Sequence, residues 1–310
     1  AVGAFAGLGL LSKYSVLFLG AGIVLWLLVA PDMRRAFRSP WLWAGGAVAL
    51  VLFAPVLAWN AANGWASFAK QFGRAVPSEF RPELVLEFLG AQILLVGPLM
   101  VPFLAIGIGR IVRLGPTRAS LAWALLATSL PFFAYLVAHG FHARVQGNWP
   151  APLYAAVAVI AAVAAADLPE GRAGRVLRAL RAAVAPVGLG LCLVAFLHLS
   201  GDRLFLTDRD TSKRLRGWPA FTTEVDLARQ RAEADWVGTV HWGTTGQMAF
   251  GLRATSVPVV PLADPLRWTG FPEETLGALG PGLVVVLERR ARGLGLEARF
   301  ETVEALGTLE

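Results

Sequence analysis

"PDMRRAFRSPWLWAGGAVALVLFAPVLAWNAANGW", residues 31–65, decides the class of fold. It opens on Arg34, Arg35 and Arg38, runs through the uncharged apolar segment 41–59, and closes on Asn60, Asn63 and Trp65. A helix crosses the hydrocarbon core of a bilayer with about 20 mainly apolar residues, so 41–59 is long enough to span. In lipid every backbone amide must find its partner inside the segment, which makes the run a helix and not a buried strand. Guanidinium groups on one flank, with amides and an indole on the other, give the two ends of that helix different surroundings.

The same alternation continues on both sides. Apolar runs at 14–30, 86–109, 119–138, 150–166 and 183–200 bring the expectation to about six spans, and residues 1–11 read as the tail of a further, partial one. Pro55, Pro98, Pro102 and Pro131 fall inside these runs, which membrane helices tolerate. The chain of 310 residues is 56% hydrophobic and 16% charged, whereas soluble domains carry roughly 45–50% apolar and about 25% charged residues. Its net charge of +7 does not point to nucleic acid, because the arginines fall in short loops between apolar runs. Arg34, Arg35 and Arg38 occupy one such loop, Arg110, Arg113 and Arg118 a second, and Arg172, Arg175, Arg178 and Arg181 a third. The positive-inside rule places these three loops in the cytoplasm. Alternation then puts 60–85, 139–149 and everything after residue 200 outside.

Beyond residue 201 charges become frequent and apolar runs short. "RGWPAFTTEVDLARQRAEA" has helical spacing; "WVGTVHW", "VPVVPL" and "GLVVVLERR" read as strands, and "GTTGQMAFGL" as a short helix between them. The fold class expected is a polytopic α-helical membrane domain over 1–201, followed by a small extracytoplasmic α/β domain with a partly parallel sheet over 202–310.

Chemistry at a membrane face needs polar groups gathered on one side. Lys13 stands in "LLSKYSVLF" with no other charge nearby, and an ionisable residue so placed is a functional candidate by default. The outer loops add Arg74, Arg144, Asn60, Trp65, Gln146, Asn148 and Trp149. Cations pair with phosphate through charge-assisted hydrogen bonds. Indole faces stack on sugar rings, amides bond sugar hydroxyls, and a groove between helices holds a lipid tail. Lys13, Arg74 and Arg144 are therefore candidates for a lipid-carrier phosphate, and Asn60, Trp65, Gln146, Asn148 and Trp149 for a sugar or acceptor. The plainer reading stands beside this one: Trp65 and Trp149 also suit the interface as anchors, and Lys and Arg near helix ends extend to headgroups. His139 and His142 share a helical spacing, but no nearby acid or thiol completes a metal site, and Cys192 is the only cysteine. Neither a cofactor nor a metal is expected, and these residues leave metal dependence open.

"GLGLLSKYSVLFL", "RSPWLWAGGAVALVLFAPVLAWNAANGWASFAKQ", "LEFLGAQILLVGPLM" and "GNWPAPLY" resemble, in that order, bacterial family 39-like membrane glycosyltransferases of the GT-C class. These are related to protein O-mannosyltransferases and to the aminoarabinose transferase of lipid A. "KRLRGWPAFTTEVD", "MAFGL" and "LRWTGFPE" continue the resemblance into the C-terminal part. It implies a GT-C-like enzyme of the bacterial inner membrane that moves a sugar from a polyprenyl-phosphate carrier to a glycan, lipid or protein acceptor on the outer face, usually with inversion. It also implies a carboxylate base in the first external loop. This chain opens on "AVGAFAGLGLLSKY", already apolar and without the basic n-region or cleavage site of a signal peptide. The expectation is a fragment whose acidic loop precedes Ala1, so that the catalytic base is unknown and residues 1–310 alone transfer no sugar. Two other classes remain in view: a transporter or flippase for a lipid or small solute, which internal repeats would signal, and a non-enzymatic membrane scaffold.

Overall fold

Apolar helices form where the long runs predict them, and glycine and proline decide where they end. The computed structural model describes residues 1–73, 79–200, 212, 215–270, 279–287 and 295–309. Its helices in the first two hundred residues are α1 (Val2–Ser12), α2 (Leu17–Val29), α3 (Pro40–Ala62), α4 (Ala66–Gly73), α5 (Pro82–Val96), α6 (Val101–Arg118), α7 (Ser120–Gly140), α8 (Tyr154–Ala166) and α9 (Gly171–Ser200). Among the described residues α3, α7 and α9 are long and apolar enough to cross a membrane singly. Two bent pairs, Tyr14–Val29 with Pro31–Arg38 and Pro82–Val96 with Val101–Arg118, bring the count to as many as five.

The six runs of sequence thus become three to five candidate spans. The run 86–109 is not one straight helix. Gly97 adopts φ 95°, a conformation that favours glycine, and Pro98 follows it, so α5 and α6 meet at 102°. Gly115, at φ 73° before Pro116, makes a second break inside α6. After α2, Ala30 is pushed to extended backbone by Pro31, and the arginine loop folds into a 3-10 helix, Pro31–Arg38.

Close packing rests on small residues, as expected where lipid removes the hydrophobic drive between helices. α1 packs on α3, α2 on α7, and α6 on α8. At the α2–α7 crossing a Cβ on Gly22 would lie 2.8 Å from the Ala127 carbonyl oxygen; at α6–α8 one on Gly107 would lie 2.7 Å from the Ile160 carbonyl oxygen. Outward faces remain apolar: Phe5, Trp41, Val51, Leu94 and Leu121 are all exposed, the surface a bilayer would cover.

The three arginine-rich segments gather at one end of this bundle, but only the first lies between helices: Arg110, Arg113 and Arg118 fall inside α6, and Arg172, Arg175, Arg178 and Arg181 inside α9, so two of the expected loops are helix ends. The Pro31–Arg38 segment packs against α2, α3 and α6. Trp26 Nε1 donates to the Ser120 carbonyl at the start of α7, and Arg110 pairs with Asp167 at the end of α8. Arg178 and Arg181 donate to the carbonyls of Pro169 and Ala165.

Contacts divide the chain into two units, Ala1–Ala62 with Phe72–Asp202, and Asn63–Gln71 with Arg203–Glu310. The second unit contains α4 as far as Gln71, α10 (Trp218–Arg231), α11 (Trp242–Gly251) and α12 (Pro265–Trp268) with strands β1 (Trp236–Thr239), β2 (Val259–Pro261) and β3 (Gly282–Val285). The strands form one parallel sheet in the order β2-β1-β3. α10, β1, β2 and β3 fall inside the stretches where spacing predicts them, α11 begins one residue before its stretch, and α4 and α12 are helices the spacing does not announce. Val225, Val237, Met248 and Leu252 form a core on one side of β1, and Trp236, Val260 and Leu262 another.

Candidate functional site

Lys13 ends α1 and precedes a 3-10 turn, Tyr14–Val16, that leads into α2. Its amide donates to the Gly9 carbonyl at 2.8 Å, closing the last turn of α1. The residue is exposed, and no ion-pair partner of Lys13 exists among the described residues. A lysine at a break between two apolar helices, with no ion-pair partner among the described residues, is free to contact a ligand. Beside it Tyr14 meets Phe53 of α3 edge-on at 6.0 Å.

A chain of rings leads from this end of α2 to the loop 141–150. Phe18 lies 4.9 Å from Tyr135, Tyr135 5.8 Å from His139, and His139 5.5 Å from Trp149, all between ring centroids. Phe18, Tyr135 and Trp149 of that chain border a core of Phe88, Phe132, Leu136 and Val145. Trp149 is therefore built into packing as well as standing near an interface. The loop is tied to α5 as well: the Arg81 amide donates to the Phe141 carbonyl at 2.6 Å, Phe80 stacks on Phe141, and Arg144 donates to Glu87 Oε2 at 3.0 Å. Arg144 retains 70% of its side-chain exposure in that pair and Glu87 51%, so the carboxylate orients the guanidinium without enclosing it. Gln146 and Asn148 are exposed, and their carbonyls accept from Trp149 and Ala151 in successive turns.

Deeper in the same unit, the Tyr154 hydroxyl donates to Gln92 Oε1 at 2.7 Å, joining α8 to α5. The Gln92 Nε2 is enclosed and has no hydrogen-bond partner among the described residues. Asn60 is fully buried near the end of α3, with Nδ2 donating to the Val56 carbonyl at 2.9 Å.

Two candidates lie elsewhere. Trp65 belongs to the second unit, in a turn where both it (φ 58°) and Gly64 (φ 60°) are left-handed; its ring is half-exposed and 5.7 Å from Phe68. Arg74 lies outside the described residues, as do Asp202, Asp208 and Asp210. Lys13, Arg144, Trp149, Gln146, Asn148 and Asn60 thus fall in one unit. Among the described residues no hydrogen bond or ion pair joins Lys13 to the loop 141–150.

Sequence reasoning missed the partners. Nothing in local spacing pairs Arg144 with Glu87, 57 positions away, or Lys70 with Asp264, 194 positions away. Asp264, itself left-handed at φ 61°, accepts from Lys70 and, at 3.0 Å, from Arg267. The hydrogen bond from the Lys70 ammonium, with the Arg267 guanidinium beside it, outweighs desolvation and holds the Asp264 carboxyl below its usual range.

A bundle of apolar helices with cations, amides and rings at the end away from its arginine loops, joined in sequence to a small α/β unit, defines a multi-pass membrane protein. Residues 1–59, the stretch that contains Lys13, match the family described as dolichyl-phosphate-mannose-protein mannosyltransferase, as the resemblance predicts. That family consists of membrane glycosyltransferases that use a polyprenyl-phosphate sugar. No curated protein and no solved structure matches the chain.

Proposed function

We propose that this protein takes part in transfer of a sugar from a polyprenyl-phosphate carrier to an acceptor, at the membrane face that carries Lys13 and the loop 141–150. One observation carries the reading: the segment that matches the transferase family holds an exposed lysine, unpaired among the described residues, at a break between apolar helices. The family match also weighs against the transporter and scaffold readings.

The chemistry follows from charge. As the bond between the sugar and the carrier phosphate breaks, negative charge grows on the phosphate, and a cation already in place stabilises that transition state. Lys13 fills this role. Arg144, oriented by Glu87, is the second phosphate candidate, and Arg74 is a third. Trp149, Gln146 and Asn148 on the same loop, with Asn60 and Trp65, are the candidates for sugar or acceptor contacts. The arginine loops face the cytoplasm in this reading, so the reaction lies on the extracytoplasmic side together with the α/β unit.

The test is photolabelling in native membranes with a polyprenyl phosphate that carries a photoreactive group near its phosphate. Labelling is expected on peptides containing residues 13 or 141–150, and Lys13→Ala should reduce it by about tenfold. Equal labelling of Lys13→Ala and wild type would remove Lys13 from the phosphate site.

A further inference from the structure

At the opposite end of the bundle, α6, the α8–α9 connection and the first turns of α9 enclose an open cleft of about 660 Å3. Its walls are of two kinds. Ala105, Ile106, Leu168 and Leu177 give an apolar side, and Arg110 and Arg113, one turn apart on α6, give a cationic one. Arg110 is already engaged, 3.2 Å from Asp167 Oδ2 and 2.7 Å from the Asp167 carbonyl oxygen. Arg113 is exposed and has no partner among the described residues. With one carboxylate against two guanidiniums, the cleft holds one positive charge in excess. Gly109, the residue before Arg110 on the same wall, leaves open space where a side chain would otherwise stand.

We propose that this cleft binds one anionic phospholipid from the surrounding bilayer. The phosphodiester would lie against Arg113 and Arg110, and the first acyl carbons against Ile106, Leu168 and Leu177. Three features select this occupant. The excess charge matches a headgroup of net charge −1 and not a zwitterion. Exposed apolar side chains on the same helices, Ile108 and Val112 of α6 and Val176 of α9, would face lipid, so a ligand can approach from the bilayer. The volume lies within the range of about 300–1,000 Å3 typical of small-molecule sites, room for a headgroup and its first acyl carbons. Arginine suits the role because its planar fork bonds two phosphate oxygens and is weakly hydrated, and basic pockets between membrane helices recognise lipid headgroups in this way. This site is distinct from the Lys13 end, where the carrier phosphate is placed.

Native mass spectrometry of the detergent-solubilised chain, titrated with dioleoyl-phosphatidylglycerol or dioleoyl-phosphatidylcholine, tests the assignment. The wild type should retain one phosphatidylglycerol at concentrations where phosphatidylcholine is lost. Arg113→Ala should weaken that binding roughly five- to tenfold, and Arg113→Lys, which keeps the charge but not the fork, should restore only part of it. Arg172→Ala, which removes an exposed arginine outside the cleft, should leave it nearly unchanged. Equal retention of the two lipids would overturn the proposal. Equal losses in Arg113→Ala and Arg172→Ala would overturn it too, because they would reduce the effect to general surface charge. Displacement of the lipid by inorganic phosphate alone would show a site for free phosphate and not for a phospholipid.

Discussion

Single residues differ here in what does or does not pair with them. No carboxylate among the described residues pairs with Lys13. Arg144 has a carboxylate, Glu87, but an exposed one, and exposed pairs contribute only about 0.2–1 kcal/mol; the pair serves better as an orienting contact than as a source of stability. Asp264 shows the opposite balance, one carboxylate held by Lys70 and Arg267 on a strained backbone. Its pKa is depressed in the folded chain, so its contribution to stability is full above the ordinary carboxylate pKa of ~4 and is lost as pH falls below that through the folded value. Asp264→Asn removes the charge while keeping a residue type that tolerates the left-handed region. Hydrogen exchange at the β1 amides should report a loss of about 1 kcal/mol at neutral pH. That loss should shrink toward zero in acid. A loss that persists undiminished below pH ~3 would show that the charge is not what the site uses.

Helices and strands were largely legible in the sequence, their meetings were not. The apolar runs located α2, α3, α7 and α9, and alternation of strand and helix located β1, α11, β2 and β3. The break at Gly97 lies inside a run apolar enough on average to read as one span, so hydropathy does not divide α5 from α6; the Gly97–Pro98 pair does, through its backbone. Helix crossings depend on which glycine meets which backbone, and hydropathy is blind to that. Gly20 and Gly22 of α2 separate the two cases. A Cβ on Gly20 meets nothing within 4 Å, whereas one on Gly22 would press on the backbone of Ala127 and Thr128. Gly22→Ala should therefore destabilise the chain by about 1–3 kcal/mol, the usual cost of overpacking. Gly20→Ala should be neutral or stabilise by up to about 1 kcal/mol through helix propensity. Thermal unfolding in one detergent compares them directly, and equal shifts would mean that α2 and α7 do not cross at Gly22.

For the molecule as a whole, the sequence located a helical membrane part and an α/β part, and the structure adds that Asn63–Gln71 groups with the C-terminal unit. Only contact at long range reveals that: Lys70 finds Asp264 across 194 positions, which no window of local spacing spans. The candidate site was legible in kind, since cations, amides and rings on alternate loops mark one face. Its internal order was not, because Glu87, His139 and Tyr154 gain meaning only from the partners they meet. The central claim is that the protein serves transfer from a polyprenyl-phosphate sugar with Lys13 at the carrier phosphate. It is tested most directly by the rate at which labelled sugar leaves such a donor in native membranes holding the full-length natural protein, as wild type or Lys13→Ala, at equal abundance. The account predicts transfer by the wild type and a rate lower by about tenfold or more in Lys13→Ala; an unchanged rate in Lys13→Ala would contradict it.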